Sequence, residues 1–315
     1  MSQLLHERLD FHDLLRLVAE ERGIDPVLVE KDYWIMHCLW GLQQQGFHFE
    51  LKGGTSLSKG FGVIQRFSED IDLRIEPALG QYVKMGRNQN KPAHVESRRN
   101  FYDDLSRVIN IPGIEQVVRD TDFDDLTHLR SAGIRLNYVA RTGSLAGVKD
   151  GILLELGFDD TAPNRPVTIS SWALEKAMSV GVHVTDNRAR DVLCYAPTHT
   201  FVEKLQTIST KYRTLPAGGA MPRNFMRHYY DVYCLLAMTE VQDFLGTAAY
   251  EQRKQQRFRQ EDELVIARNP AFLLTDLAQR EAFRVAYQAS SALYYQGQPD
   301  FDQILRCIHE SLPLM

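Results

Sequence analysis

Residues 52–74 are Lys-Gly-Gly-Thr-Ser-Leu-Ser-Lys-Gly-Phe-Gly-Val-Ile-Gln-Arg-Phe-Ser-Glu-Asp-Ile-Asp-Leu-Arg, and they contain two different patterns. The segment opens with two glycines and two hydroxyl residues, and it ends with two aspartates that are one residue apart. From Asp70 to Ile75, polar and apolar side chains alternate, which is the pattern of a half-buried strand. Side chains two apart in a strand point to the same face, so the carboxylates of Asp70 and Asp72 are predicted to lie together.

The aspartate pair predicts a divalent-metal site. Two carboxylates this close repel each other unless a cation lies between them. Magnesium usually binds one or two protein carboxylates together with the phosphate oxygens of a substrate. A strand edge with two solvated acids is the alternative that the pair alone leaves open, because Asp-x-Asp is a common sequence.

The residues before the pair predict a short strand, a tight turn and the start of a helix. Residues 47–51 alternate as a strand does, and Gly53 and Gly54 then interrupt the pattern. Backbone N–H groups at a helix start, beside glycines that lack a Cβ, bind anions well. We therefore expect a phosphate-binding turn, to which Ser56 adds a hydroxyl and Lys59 a cation. A plain tight turn is the alternative.

The order of strand, Gly-Gly-hydroxyl turn, helix and Asp-x-Asp strand resembles the signature of the polymerase-β-like nucleotidyltransferase superfamily. Thirteen residues lie between Ser56 and Asp70, which is near the long end of the usual spacing. Within the superfamily, the chain resembles the AbiEii/AbiGii-type nucleotidyltransferase toxins, which include the MenT toxins. The segments that carry this resemblance are Val29-Glu30-Lys31-Asp32-Tyr33-Trp34-Ile35, Gly53-Gly54-Thr55-x-Leu57-x-Lys59, Arg66-x-Ser68-x-Asp70-Ile71-Asp72-Leu73, Phe201-Val202-Glu203-Lys204-Leu205 and, more loosely, Arg227-His228-Tyr229-Tyr230-Asp231-Val232-Tyr233.

The resemblance implies an α+β fold. Residues 1–195 are expected to form a polymerase-β-like nucleotidyltransferase domain, in which helices flank a mixed sheet. The pattern of residues 196–315 is mostly helical, and this part is expected to form a C-terminal domain that completes the nucleotide or acceptor site. Strands are predicted at 134–139 and 152–158, in the same sheet as the aspartate pair.

The resemblance also implies the roles of individual residues. Catalytic roles fall to Asp70, Asp72, Glu155, Lys204 and Asp231, of which the first three are the metal ligands. Nucleotide-binding roles fall to Gly53, Gly54, Thr55, Ser56, Lys59, Arg66 and Ser68. An ordinary salt bridge between helices is the alternative for Lys204 and Asp231.

Glu155 is the candidate for the third carboxylate that superfamily members place on a neighbouring strand. It stands alone among apolar residues, and a charge in such surroundings needs a partner. Two other roles compete with metal binding or general-base catalysis. They are a salt bridge to Arg135 and exposure at the edge of the sheet.

The expected activity is transfer of a nucleoside monophosphate from a nucleoside triphosphate to an acceptor, with release of pyrophosphate. Two Mg²⁺ ions are the expected cofactors, with Mn²⁺ as the substitute. The resemblance further implies an RNA acceptor, the 3′ end of a tRNA, and a toxin of a toxin–antitoxin or abortive-infection system with a cognate antitoxin protein. The alternatives are modification of a protein or small molecule, and a nucleotide-binding protein without turnover.

Composition restricts these expectations only weakly. The 315 residues include 36 basic and 41 acidic side chains, and the formal net charge of −5 gives no support to nucleic-acid binding. The four cysteines are widely spaced, which argues against a zinc site or a disulfide framework and is typical of a reducing compartment. No signal peptide or membrane-length apolar run is evident, so a cytoplasmic protein without membrane contact is expected.

Three charged segments have competing interpretations. Glu30 and Lys31 either line the site or, as favoured here, are surface charges on a first helical turn. The loop predicted at 214–222 either closes over a nucleotide or RNA backbone, or only carries solubilising charge at its flanks. Segment 249–268 is interpreted as a helix with a solvated charged face, and contact of Lys254, Arg257 and Arg259 with nucleic acid is the alternative.

Overall fold

The computed structural model describes residues 3–215, 221 and 224–315. The chain divides into two compact units. The first comprises Met1–Phe61 and Ser68–Tyr195, and the second comprises Gly62–Phe67 and Ala196–Met315. Most of the loop predicted at 214–222 lies outside the described residues.

The described part of the first unit is built on a mixed seven-stranded sheet. Its strands are β1 (Phe49–Lys52), β2 (Asp70–Ile75), β3 (Ile114–Asp120), β4 (Ser131–Tyr138), β5 (Ile152–Gly157), β6 (Asn164–Ile169) and β7 (Ala189–Tyr195). The order across the sheet is β3-β4-β5-β2-β1-β7-β6. The pairs β2–β5 and β1–β7 are parallel, and the other neighbours are antiparallel.

Helices flank this sheet. They are α1 (Phe11–Arg22), α2 (Pro26–Gln44), α3 (Gly53–Thr55), α4 (Pro92–Val108) and α5 (Trp172–Ser179). Helix α2 packs against β5 and β7 and against α1 and α5, while α4 packs against β3 and β4. The start of α2 follows from its sequence, because Asp25 accepts a hydrogen bond from the Val27 N–H at 2.8 Å and Pro26 occupies the first helical position.

The predicted α+β class is confirmed. The predicted strands at 134–139 and 152–158 are found as β4 and β5, and β5 lies directly beside β2. None of the helices in the described residues has the length and apolar character that a bilayer-spanning segment needs.

The second unit is helical in the residues that the structure describes. Its helices are α6 (Pro197–Arg213), α7 (Arg227–Leu236), α8 (Thr239–Phe244), α9 (Ala248–Arg257), α10 (Pro270–Leu273), α11 (Leu277–Gln288) and α12 (Phe301–Ser311). Helix α6 packs against α7, α8, α9 and α10. The short segment Gly62–Phe67 joins this unit through its backbone, since the Phe67 N–H donates to the Leu293 carbonyl at 2.7 Å.

Helix α9 does not have the fully solvated charged face that its sequence predicted. Arg253 and Lys254 are 6% and 3% exposed. The Arg253 guanidinium pairs with Glu203 of α6 at 3.2 Å, and the Lys254 ammonium donates to the Met315 carbonyl at 2.7 Å. These two buried charges therefore tie α9 to α6 and to Met315.

Candidate functional site

Strand β2 presents its two aspartates on one face, as the alternating pattern predicts. Ile71, Leu73 and Ile75 are buried on the opposite face, with exposures of 0%, 0% and 2%. Asp70 is 8% exposed, and Asp72 is half-buried. The apolar face therefore belongs to the core, and the two carboxylates lie together on the opposite face.

Glu155 lies on the same face as the aspartates. In the parallel pairing of β2 with β5, Asp72 and Glu155 are direct partners, and side chains of directly opposite residues share a face. Strand β5 lies between β4 and β2, so Glu155 is not at a sheet edge. The Arg135 guanidinium bonds to Asp120 at 2.8 Å instead of serving as a partner of Glu155. Three carboxylates thus share one face of two adjacent strands.

The glycine turn lies directly against Asp72. Gly53 has φ +72°, a backbone conformation that L side chains rarely adopt. A Cβ at this position would lie 1.9 Å from Asp72 Oδ2 and 2.6 Å from its Cγ. A side chain at this position would displace the Asp72 carboxylate, because the backbone of the turn and that carboxylate are in contact.

The two hydroxyls of the turn face the protein interior. Thr55 and Ser56 are both 0% exposed. The Thr55 hydroxyl donates to the Asp70 carbonyl at 2.5 Å, which ties the turn to β2. The Ser56 hydroxyl lies beside the Cys194 thiol and has no oxygen or nitrogen partner among the described residues. Both side chains are therefore buried within the turn, and the nucleotide-binding roles of Thr55 and Ser56 stay predictions.

Lys59 is also used differently from the sequence-based expectation. Its ammonium pairs with Asp32 Oδ1 at 2.6 Å and lies 5.3 Å from the centre of the Trp172 ring. Asp32 is 1% exposed and also accepts from the Trp172 N–H at 2.8 Å. Burial raises the pKa of Asp32, and Lys59 opposes that shift. Lys59 therefore ties the segment after the glycine turn to α2 and is not a free cation for phosphate.

The preferred interpretation of Glu30 and Lys31 as surface charges is wrong. Their exposures are 1% and 2%, although they lie in the first turns of α2. Burial lowers the pKa of Lys31, while the neighbouring Glu69 opposes the change. Charges this deeply buried require specific partners, so both residues have a structural task near the sheet.

A cleft of about 430 Å³ opens beside the acidic face. Its lining includes Asp72 and Glu155 together with the cations Lys52, Arg87 and Arg130. Lys52 is the register partner of Asp72 across β1 and β2. The volume of the cleft is within the range of small-ligand sites, and its lining of both acidic and basic side chains suits a metal–phosphate ligand.

Arg130 braces one wall of this cleft. Its guanidinium donates to the backbone carbonyls of Met85 at 3.1 Å and Arg87 at 2.7 Å. Arg87 itself is exposed and makes no ion pair with any described residue. The loop between β2 and α4 therefore presents an available cation to the cleft.

The three carboxylates match the chemistry of a magnesium site that a substrate completes. Within the described residues, no group of three or more His, Cys, Asp or Glu side chains converges as a complete metal site. Magnesium rarely needs one, since it binds one or two carboxylates and takes further oxygens from water and phosphate. Oxygen ligands also suit Mn²⁺. Asp70, Asp72 and Glu155 therefore fit such an ion in donor type.

The second unit contains its own buried charge cluster. The Arg66 guanidinium forms two hydrogen bonds of 2.7 Å to the Asp231 carboxylate, and the Lys204 ammonium lies 2.8 Å from Asp231 Oδ2. Asp231 is 0% exposed and Arg66 is 1% exposed. Burial alone would raise the pKa of Asp231, but Arg66 and Lys204 lower it to about 2.

This cluster changes the expectation for Arg66. Its guanidinium is bound to Asp231 within the helical unit, so it is not available as a nucleotide ligand. Lys204 and Asp231 do meet, and their catalytic roles stay a prediction. Ser68, which was assigned to the nucleotide, is 9% exposed and stands two residues before Asp70.

Sequence reasoning missed the cations Lys52, Arg87 and Lys149. Lys52 directly precedes the glycine turn, and that position was a usable signal. The Lys149 ammonium lies 3.9 Å from Asp70 Oδ1, and Arg87 lines the cleft. Neither of these two had a local signal, because a loop brings each of them to the site from a distant part of the sequence.

The class of protein that this sheet, turn and carboxylate set define is that of the nucleotidyltransferases. The family model described as nucleotidyl transferase AbiEii toxin, type IV toxin–antitoxin system, matches residues 34–307, and the chain belongs to this family. The resemblance found in the sequence is thereby confirmed. A search of curated proteins gave no match. Membership of this toxin family implies a nucleotide substrate and an antitoxin partner.

Proposed function

We propose that this protein is a metal-dependent nucleotidyltransferase that moves a nucleoside monophosphate from a nucleoside triphosphate to RNA, at the 3′ end of a tRNA. In the cell it would act in the cytoplasm as the toxin of a toxin–antitoxin or abortive-infection system, and a cognate antitoxin protein would neutralise it. The observation that carries the proposal is the contact of the Gly53 backbone with Asp72, on the sheet face that also holds Asp70 and Glu155.

In the proposed reaction, the acceptor hydroxyl attacks the α-phosphorus of the nucleotide. The new bond is a phosphodiester, and the bond to the β-phosphate oxygen breaks, so that pyrophosphate leaves with the electron pair. Asp70, Asp72 and Glu155 would hold Mg²⁺ or Mn²⁺, which when bound acidifies the attacking hydroxyl and neutralises charge on the leaving group. Glu155 is the candidate to accept the proton of that hydroxyl.

The protein itself supplies binding and orientation. The backbone N–H groups of the turn at Gly53 and Gly54 would bind phosphate oxygens. Lys52 and Arg87 line the same cleft and would offset the negative charge of the triphosphate. Each of these groups is held by a strand end or a braced loop, and this reduces the reorganisation needed when the nucleotide binds.

The RNA acceptor rests on the resemblance to the MenT toxins and on the cations of the cleft. Arg87 lines it with an exposed guanidinium, and guanidinium groups suit phosphodiesters. The formal net charge of −5 means that RNA binding would depend on such local positive charge and would weaken as salt rises.

The test is transfer of label from each of the four nucleoside triphosphates to total RNA and, separately, to total protein, with and without Mg²⁺. We expect label in small RNA only when Mg²⁺ is present. Asp72→Asn should reduce transfer by on the order of 10²–10³, because the charge that holds the ion is lost. Asp13→Asn, a change at a side chain that is 83% exposed on α1, is the control and should leave transfer unchanged.

Three results would contradict parts of the proposal. Label found only on protein would overturn the RNA acceptor. A wild-type rate of transfer by Asp72→Asn would show that the acidic face takes no part in the reaction. Nucleotide binding without pyrophosphate release, across a broad set of acceptors, would favour a binding protein without turnover.

A further inference from the structure

The loop between β4 and β5 brings a lysine to the acidic face. The Lys149 ammonium lies 3.9 Å from Asp70 Oδ1 and 4.2 Å from the centre of the Phe123 ring. The Lys149 side chain is 32% exposed, so a ligand can reach it from solvent, whereas that of Asp70 is 11% exposed. An accessible positive charge therefore stands beside one of the three carboxylates.

One end of this loop is held by Glu30 of α2. Its carboxylate accepts hydrogen bonds of 2.8 Å from the backbone N–H groups of Arg141 and Thr142. It also accepts from the Thr142 hydroxyl at 2.5 Å. A fully buried carboxylate is thus satisfied by the first residues of the loop, which fixes where the loop leaves β4.

The other end is held by Lys31, the next residue of α2. The Lys31 ammonium donates to the Lys149 carbonyl and lies 3.3 Å from Glu69 Oε2. The same Glu69 oxygen accepts from the Lys149 N–H at 3.0 Å. The buried pair of Lys31 and Glu69 therefore binds both the carbonyl and the N–H of Lys149, and Glu69 directly precedes Asp70.

These contacts restrict a segment that would otherwise be free to move. Gly143, Gly147 and Gly151 lie in this loop, and glycines increase backbone freedom. Glu30 and Lys31 are adjacent buried charges that bind the two ends of this loop, and together they fix the path of its backbone. As a result, the backbone of Lys149 has a fixed position relative to Asp70, and the Lys149 side chain extends from that position.

We propose that Lys149 is a phosphate-binding residue of the site, and that Glu30 and Lys31 are positioning residues that hold it there. This rests on the proposed function. The ligand is the triphosphate of the bound nucleotide, whose oxygens would be shared between the Lys149 ammonium and an ion held at Asp70. The ammonium then offsets negative charge where the triphosphate meets the carboxylates.

The first experiment measures nucleotide affinity directly by calorimetry in the presence of Mg²⁺, without turnover. Lys149→Met should weaken binding of nucleoside triphosphate on the order of tenfold or more, and leave binding of the nucleoside alone unchanged. Lys149→Arg should restore most of the affinity. Lys176→Met is the matched control, because Lys176 is 26% exposed and pairs with Glu21 of α1, and it should bind as wild type.

Wild-type affinity for the triphosphate in Lys149→Met would overturn the proposal. A raised KM for the acceptor with unchanged nucleotide affinity would also overturn it, because the phosphate would then belong to the acceptor. Failure of the wild-type protein to transfer any nucleotide would refute the proposed function, while the binding comparison would still decide the role of Lys149.

The second experiment separates positioning from folding. Glu30→Gln should weaken triphosphate binding, and the double variant Glu30→Gln with Lys149→Met should be no weaker than Lys149→Met alone, because Glu30 acts through Lys149. Circular dichroism confirms that each variant is folded. Additive losses in the double variant, or full affinity in a folded Glu30→Gln, would refute the positioning role.

Discussion

Gly53→Ala tests whether contact between the glycine turn and Asp72 matters for the chemistry. The added Cβ would lie 1.9 Å from Asp72 Oδ2, where an ordinary contact is about 3.4 Å or longer, so the carboxylate must withdraw by about 1.5 Å. The clash is mainly with the end of a side chain, and rotation of Asp72 relieves it. Displacement of a catalytic group by about 1 Å typically costs on the order of 10² in rate.

The stability of the same variant should change much less. The conformation at φ +72° costs a non-glycine residue about 1–2 kcal/mol. For a domain of this size, that corresponds to a melting temperature lower by about 2–8 °C. Gly46→Ala is the matched control, because Gly46 has φ +78° and a Cβ there would meet nothing within 4 Å.

The assay is the initial rate of labelled nucleotide transfer, together with thermal unfolding of both variants. We expect similar melting temperatures for Gly53→Ala and Gly46→Ala, and a rate about 10² lower for Gly53→Ala alone. If the two variants transfer nucleotide at the same rate, the reasoning that places Asp72 at the reacting centre is refuted.

Three further predictions concern buried groups. Ser56→Ala should leave the KM for nucleotide within about twofold of wild type, because the hydroxyl is buried beside Cys194. A tenfold rise in KM would show instead that this hydroxyl contacts the nucleotide phosphate. Asp231→Asn leaves Arg66 buried without its partner and should cost about 3–5 kcal/mol in urea unfolding. Because the pKa of Asp231 is lowered to about 2, the stability that Asp231 contributes is present above its unfolded pKa near 4 and is lost as pH falls through 2. A free energy of unfolding that does not change between pH 4 and pH 2 would contradict this expectation. Burial lowers the pKa of both His37 and its neighbour His6 to about 4, so the folded protein should lose about 3 kcal/mol for each imidazole as pH falls from 6.5 to 4, and His37→Gln should reduce that loss in thermal unfolding.

Local periodicity was enough to predict the acidic face. The alternation from Asp70 to Ile75 specifies a strand with carboxylates on one side, and Ile71, Leu73 and Ile75 are indeed buried on the other. Glu155 could be predicted as a third carboxylate on a neighbouring strand, but its pairing with Asp72 could not, because register depends on contacts between strands about 80 residues apart.

Side-chain hydroxyls and cations were harder to predict, since their partners are remote in sequence. Lys59 lies one turn beyond the glycines and had the position of a phosphate ligand, yet Asp32 binds it from α2. Arg66 lies four residues before Asp70, yet its carboxylate partner Asp231 is 165 residues away. A charged residue near a motif is therefore weak support for a role in that motif until its counter-charge is known.

The three consecutive charges of α2 show what such remote pairing accomplishes. Glu30 binds the loop between β4 and β5, Lys31 binds Glu69 at the entry to β2, and Asp32 binds Lys59 in the segment that follows the glycine turn. A charged first turn in a helix is ordinarily at the surface, because burying a charge costs free energy. Here each buried charge fixes a different part of the candidate site on one helix. The stability of α2 and the geometry of the site are therefore coupled, and loss of any one of these pairs should move one part of the site relative to the other two.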